Sequence, residues 1–405
     1  MFSIADENRK SRGLTPETPE SEHRYRHKVA RESLRSHDLD AILFFGSGSG
    51  TADQIRYLAD YVHIIPRAHS FLSISRSEDP ILLIDRPWYL DNAQEMSHID
   101  DIRTFPQGSM QMSYDEVVNC LDKLLDDAGA KSGRVGIFDS FLPSRYFRAI
   151  QEVAPDTEFV SGDQVWYDLV TTPSEYGKKT MRQAAEIADE GLQTAISQSQ
   201  HGVSEQEVCL AAMSRMASLG AEFHMSFPTT VPLIGSNSDV ISNLRSFVFT
   251  NNRLEHGQMF WYDQITAYKG YYIDCDRTIC VGEPSEKQLD IYQTVRRMYE
   301  AMLNALSPGT TADELWDIGV KIAAESGYED NVNFIHHGHT IGPAVVGQSM
   351  AAPGAETKVR PESFVNIEPG IFVPGVGSAC IENTVYVTEN SAEPINSTDI
   401  GLQIV

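Results

Sequence analysis

Residues 261–282, WYDQITAYKGYYIDCDRTICVG, decide how this chain folds. Two runs rich in aromatic and β-branched residues, YDQITAY and GYYIDCD, flank Lys269-Gly270 and predict a β-hairpin. Asp263 and Asp274 are eleven apart, centred between Tyr268 and Lys269. A hairpin symmetric about that centre sets them directly opposite on one face, with Cβ atoms roughly 5 Å apart. Like charges so placed repel, whereas a bound cation removes the penalty and gives hard oxygen ligands a reason to converge. The pattern recurs in residues 365–388, VNIEPGIFVPGVGSACIENTVYVT, where PGVG separates two apolar strands. Glu368 and Glu382, fourteen apart and mirrored about Gly375, predict a second hairpin with facing carboxylates. Between the hairpins, HHGHTIGP supplies His336, His337 and His339. Two Asp, two Glu and a His so arranged form a dinuclear metal set.

The rest of the chain is consistent with two domains, since 405 residues are long for a single core. A net charge of −25, from 57 acidic and 32 basic residues, argues against nucleic acid and anionic membrane surfaces as partners. The five cysteines lack CxxC spacing and are expected to be reduced thiols. With no long apolar run and no signal-peptide core in MFSIADENRKSRG, a cytoplasmic location is expected. GSGSG after the strand AILFF is not followed by the lysine a phosphate-binding loop needs, and is taken as a strand-to-helix turn. Strand candidates FLSIS, PILLID and RVGIFD alternate with helical stretches, predicting an α/β layer domain that ends near Val165. Downstream, helices are expected after the caps Ser174, Ser204 and Thr311 or Ala312.

The order of elements in the second half, from the FP strand to the Glu hairpin, resembles the pita-bread superfamily, which includes methionine aminopeptidase, aminopeptidase P, prolidase and creatinase. GYYIDCDRT is similar to that family's GYxSDxTRT, YDQI to its VDxG strand, GHTIG to GHxxG, NIEPG to IEP, and SACIENTVYVT to SAQFEHT. DQIRYLADY resembles the NxRYLTGY turn of the creatinase/prolidase amino-terminal domain. Residues 1–20, polar and Pro-containing, are expected to form a flexible arm, and the resemblance implies a creatinase-type α/β domain over 21–165 and an α+β pita-bread domain over 166–405. It also implies two divalent metal ions (Mn, Fe, Co or Zn) and a homodimer. Asp263 would bind one ion, Asp274 and Glu382 would bridge both, and His339 and Glu368 would complete the second site.

The departures bear on activity. Three histidine positions of the peptidases, which hold substrate and shuttle protons, are Ser242, Ile335 and Val346 here, and none of these side chains replaces imidazole near neutral pH. His336 or His337 is the candidate replacement for one of them through a shift of the loop; otherwise each is a supporting or structural histidine. The family threonine two residues after the second aspartate is Asp276, which either adds to or orients the ligand set or pairs with Arg277. The arginine two residues before the last glutamate is Cys380, expected to be a buried, inert thiol. The leading expectation is a dinuclear metal-dependent hydrolase of a small amide, an Xaa-Pro-like peptide or another C–N bond, with Glu368 accepting the proton. Two alternatives stand beside it. One is a metal-dependent lyase on this scaffold, akin to dimethylsulfoniopropionate lyase although Val345 departs from its pattern. The other is a non-catalytic binding module.

Overall fold

The computed structural model describes residues 18–48, 52–63, 65, 67–138, 142–223, 231–234, 251–332, 337–344 and 350–405. The expected arm lies outside the described residues up to residue 17, and from Glu20 the chain is helical. The described residues form two compact units that divide at Ser174/Glu175.

The first unit runs α1 (Glu20–Ser36), β1 (Ala41–Ser47), α2 (Asp53–Ala59), β2 (His69–Ser75), β3 (Ile81–Ile84), α3 (Leu90–Met96), β4 (Asp101–Thr104), α4 (Tyr114–Asp127), β5 (Gly133–Phe138), α5 (Ser144–Val153), β6 (Thr157–Ser161) and α6 (Asp163–Val170). Its strands form one mixed sheet in the order β4-β3-β2-β1-β5-β6. β1, AILFFGS, is apolar almost throughout because it is buried on both faces. Leu43 and Phe45 pack with Leu121 and Leu124 of α4 and Tyr146 of α5, while Phe44 meets Trp166 of α6 at 6.4 Å between ring centroids. Trp166 also lies against Tyr57 of α2, at 6.0 Å. This anchoring places α6 in the first unit, so the boundary falls beyond the expected 165/166, which would have cut the helix. Gly46 has no room for a side chain: a Cβ would lie 2.6 Å from Ile55 and 2.9 Å from the Ser70 hydroxyl. Packing thus accounts for the first glycine of GSGSG.

The second unit opens with α7 (Glu175–Gln198) and α8 (Glu205–Ser218), the latter capped by Ser204 in a reciprocal box with Glu207. β7 (Val231–Ile234), β8 (Met259–Tyr268) and β9 (Tyr271–Cys280) follow, then α9 (Glu286–Ala305) and α10 (Ala312–Glu325), capped by Thr311. The chain ends with β10 (Ser363–Ile367), β11 (Gly370–Val373), β12 (Gly377–Cys380), β13 (Asn383–Val387), β14 (Ala392–Pro394) and β15 (Gln403–Ile404). The strands form sheets β15-β9-β8-β7, β10-β13-β14 and β11-β12. No helix among the described residues is long and apolar enough to cross a membrane.

The first hairpin forms where expected but in another register. Lys269 (φ 50°) and Gly270 (φ 74°) make a two-residue turn with both φ positive, the geometry that matches strand twist. Its centre is therefore the middle of Lys269-Gly270. Tyr268 pairs with Tyr271, so Asp263 faces Asp276 and Asp274 faces Ile265. Asp263 and Asp274 share a face as diagonal neighbours and do not stand directly opposite. The second hairpin keeps its expected mirror. Ile367 pairs with Asn383 and Gly370 with Cys380, and this common register sets Glu368 across from Glu382. The ladder breaks at that pair, between β10–β13 on one side and β11–β12 on the other.

Candidate metal centre

β9 joins the two hairpins. One of its edges pairs with β8, and on the other Asp276 bridges to Glu382. Because residues directly across a ladder share a face, Asp263, Asp276, Glu382 and Glu368 form a transverse row over adjacent strands. Asp274, two residues before Asp276, lies on the same face.

The histidine comes from the segment that runs along β10. Thr340 bridges Val365, and the Asn366 N–H donates to the His339 carbonyl at 2.7 Å. Gly338 makes the close approach feasible, since a Cβ there would sit 2.3 Å from the Asn366 carbonyl oxygen. His339 is 2% exposed, and its Nδ1 lies 3.0 Å from the Thr340 carbonyl. An N–H on Nδ1 makes Nε2 the acceptor nitrogen, which lies 3.5 Å from Asn366 Nδ2. Nε2 lies 3.8 Å from both Asp274 Oδ2 and Glu368 Oε1. Asp274, His339 and Glu382 each offer a ligand atom within 4.8 Å of the others.

The electrostatics make this cluster costly without a cation. Burial, and then the neighbouring carboxylates, push Asp274 and Glu382 well above the usual range. Burial likewise raises Asp276, with Asp263 adding to it, and takes Asp263 up to about 7. One carboxylate oxygen each of Asp263, Asp274 and Asp276 is buried without a hydrogen-bond partner. Acceptor-only oxygens left bare beside an imidazole nitrogen are the donor set of a divalent cation site. The residues present fit the metal.

Arg277 makes no hydrogen bond to the Asp276 carboxylate. Its side chain, fully buried, donates to the carbonyls of Asp276, Glu382, Thr398 and Asp399 and to Asn383 Oδ1. That uses every N–H of the guanidinium on backbone and amide acceptors, none on a carboxylate. The Arg277 pairing considered for Asp276 is thereby corrected.

The surroundings of His337 fit the structural one of its two readings. The residue is fully buried, with its ring 4.5 Å from the Trp316 ring of α10, and it closes on Gly319 so tightly that a Cβ there would meet Nδ1 at 3.1 Å. These are the surroundings of a packing histidine. Ser242, Ile335, His336 and Val346 lie outside the described residues. Cys275 and Cys380 are fully buried, and burial raises both thiols, as expected of inert cysteines.

Two supporting residues have no motif of their own. Asn366 Nδ2 donates to Glu382 Oε1 at 2.7 Å, and Thr384 Oγ1 donates to Asn366 Oδ1 at 2.8 Å. The chain fixes the carboxylate of Glu382 through this relay. The signal was the residue type, since a fully buried Asn in the strand VNIE is poor sheet material unless its amide is used.

Comparison with known proteins agrees with this geometry. Residues 179–389 match metallopeptidase family M24, and residues 26–169 match the creatinase/prolidase N-terminal domain. The chain is 33% identical to an Xaa-Pro dipeptidase of Pyrococcus horikoshii over 261 residues, covering 64% of this chain and 72% of that one. It is 29% identical to an Xaa-Pro dipeptidase of Lactobacillus delbrueckii subsp. lactis over 268 residues, 65% of this chain and 70% of the relative. The crystal structure of the prolidase from Pyrococcus horikoshii OT3 superimposes with a TM-score of 0.75 at 27% identity, covering 93% of this chain and 99% of that one. These likenesses support the hydrolase expectation and lend nothing to the lyase or binding-module alternatives. With a creatinase-type amino-terminal domain ahead of a pita-bread domain that gathers carboxylates and a histidine, the chain belongs to metallopeptidase family M24 and is a metal-dependent hydrolase.

Proposed function

We propose that the chain hydrolyses dipeptide-like substrates of the Xaa-Pro type, using a pair of divalent cations held by Asp263, Asp274, His339, Glu368 and Glu382. The observation that carries this reading is the convergence of Asp274, His339 and Glu382 within 4.8 Å, on the face that also bears Asp263 and Glu368. Bound there, divalent cations of the Mn, Fe, Co or Zn type would polarise a scissile carbonyl and acidify water near neutral pH.

The protein groups divide the remaining work by exposure. The side chain of Glu368 is 13% exposed and Asp263 is partly buried, whereas Glu382 is 1% exposed. Glu368 on the open side takes the proton from the attacking water and returns it to the leaving amine. Glu382, held by Asn366, stays a fixed anion. Ser242, Ile335 and Val346 are carried as substrate-facing positions, and His336 as the candidate proton carrier now that His337 is packed against Trp316. Five unpaired cysteines support a cytoplasmic setting, and the homodimer rests on family likeness alone.

The test loads chelator-stripped protein with Mn²⁺ and compares an Xaa-Pro dipeptide with its Xaa-Ala counterpart. Release of proline, with at least about a tenfold preference over Xaa-Ala and loss on chelation, is expected. A fully loaded protein that cleaves neither dipeptide overturns the proposal.

A further inference from the structure

Asp276 sits at the middle of the carboxylate row, directly across from Asp263 on one side and from Glu382 on the other. Adjacent strands lie about 4.8 Å apart, so its neighbours on both sides are the acids assigned to the metals. It is 2% exposed, and its Oδ1 has no hydrogen-bond partner. The nearby Cys380 thiol donates to the Glu368 carbonyl at 3.6 Å. Arg277, the adjacent cation, commits all its donors elsewhere. A carboxylate flanked by two others, with a bare oxygen and no guanidinium N–H bonded to it, is explained by the ligand its neighbours share.

The geometry points to Asp276 as a further metal-holding residue, the fifth carboxylate of the centre. This rests on the metal reading above and extends it. Five carboxylates around two divalent cations leave the site one negative charge in excess, where four would balance it. An oxygen-rich, anionic set of this kind suits hard cations such as Mn²⁺ better than Zn²⁺.

The experiment titrates Mn²⁺ into chelator-stripped wild type and Asp276→Asn by calorimetry at pH 8, and melts both proteins with and without Mn²⁺. Asp276→Asn keeps the shape while removing the charge. Its Mn²⁺ affinity is expected to fall about 10–100-fold. The metal-free variant is expected to melt at or above metal-free wild type, since one buried like charge is gone, while the loaded variant melts below loaded wild type. That change of sign separates ligation from damage to the fold. Asp276→Ser, which removes the carboxylate by truncation, is expected to give the same affinity loss. Unchanged affinity in both variants, or lower melting with and without metal at unchanged affinity, overturns the assignment of Asp276. Wild type that binds no Mn²⁺ instead overturns the metal reading as a whole.

Discussion

Arg277→Met is expected to cost about 3–5 kcal/mol of folding stability, read as a lower urea midpoint at unchanged slope. The guanidinium is fully buried and joins three pieces of chain. It reaches its own strand at the Asp276 carbonyl, β13 and its entry at Glu382 and Asn383, and the 398–399 segment. Methionine fills much of the volume but takes the donor from the carbonyls of Asp276, Glu382 and Thr398 and from the Asn383 amide oxygen, all on buried residues, while the Asp399 carbonyl keeps Gln403 Nε2. Because Arg277 holds the backbone of Glu382, the variant is also expected to bind metal more weakly. Arg277→Lys keeps the charge but not the fork, and should recover only part of the loss. A change below about 1 kcal/mol for Arg277→Met would mean that water replaces these bonds.

Removing metal should destabilise the second unit in a pH-dependent way, with a sign set by the carboxylates. Burial raises Asp263 to about 7, above its ordinary value of 3.8, and raises Asp274, Asp276 and Glu382 in the same direction. In metal-free protein the folded state therefore retains protons that the unfolded chain has released. The associated stability is complete below the ordinary carboxylate range and is lost as pH rises through about 7. A divalent cation takes the place of those protons and abolishes the loss. The melting temperature with Mn²⁺ should thus exceed that with chelator by a margin that widens from pH 5 to pH 8, reaching about 5–10 °C at a hundredfold excess over Kd. A margin that is constant or narrows with pH contradicts this account of the cluster.

Much of this was legible from residue order, and the exceptions have physical causes. Both hairpins could be placed because alternating aromatic and β-branched runs flank recognisable turns. The mirror about Gly375 carried over directly to the Ile367–Asn383 and Gly370–Cys380 pairs. The mirror drawn between Tyr268 and Lys269 did not, because the turn consists of Lys269 and Gly270 themselves, and moving the centre by one position changes the facing pair by two. The consequence is chemical: the residue facing Asp263 is Asp276, so an apparent departure from the family pattern becomes the centre of the row. The boundary at 165/166 cut a helix because nothing local marks Trp166 as a partner of Phe44 and Tyr57, which only the folded sheet brings near. Whether His337 carries protons or packs is not written in HHGH, because its partner Trp316 comes from a distant helix. Asn366 and Thr384 belong to no motif, because their function lies in cross-strand hydrogen bonds rather than in spacing.

The most direct test is the metal content of protein purified without chelator, by elemental analysis, alongside Glu382→Ala. Close to two divalent ions per wild-type chain, lost in the variant, is the result expected of a centre built on the Asp263–Asp276–Glu382–Glu368 row with Asp274 and His339. Wild-type protein that carries no divalent metal and takes up none from an Mn²⁺ solution contradicts it.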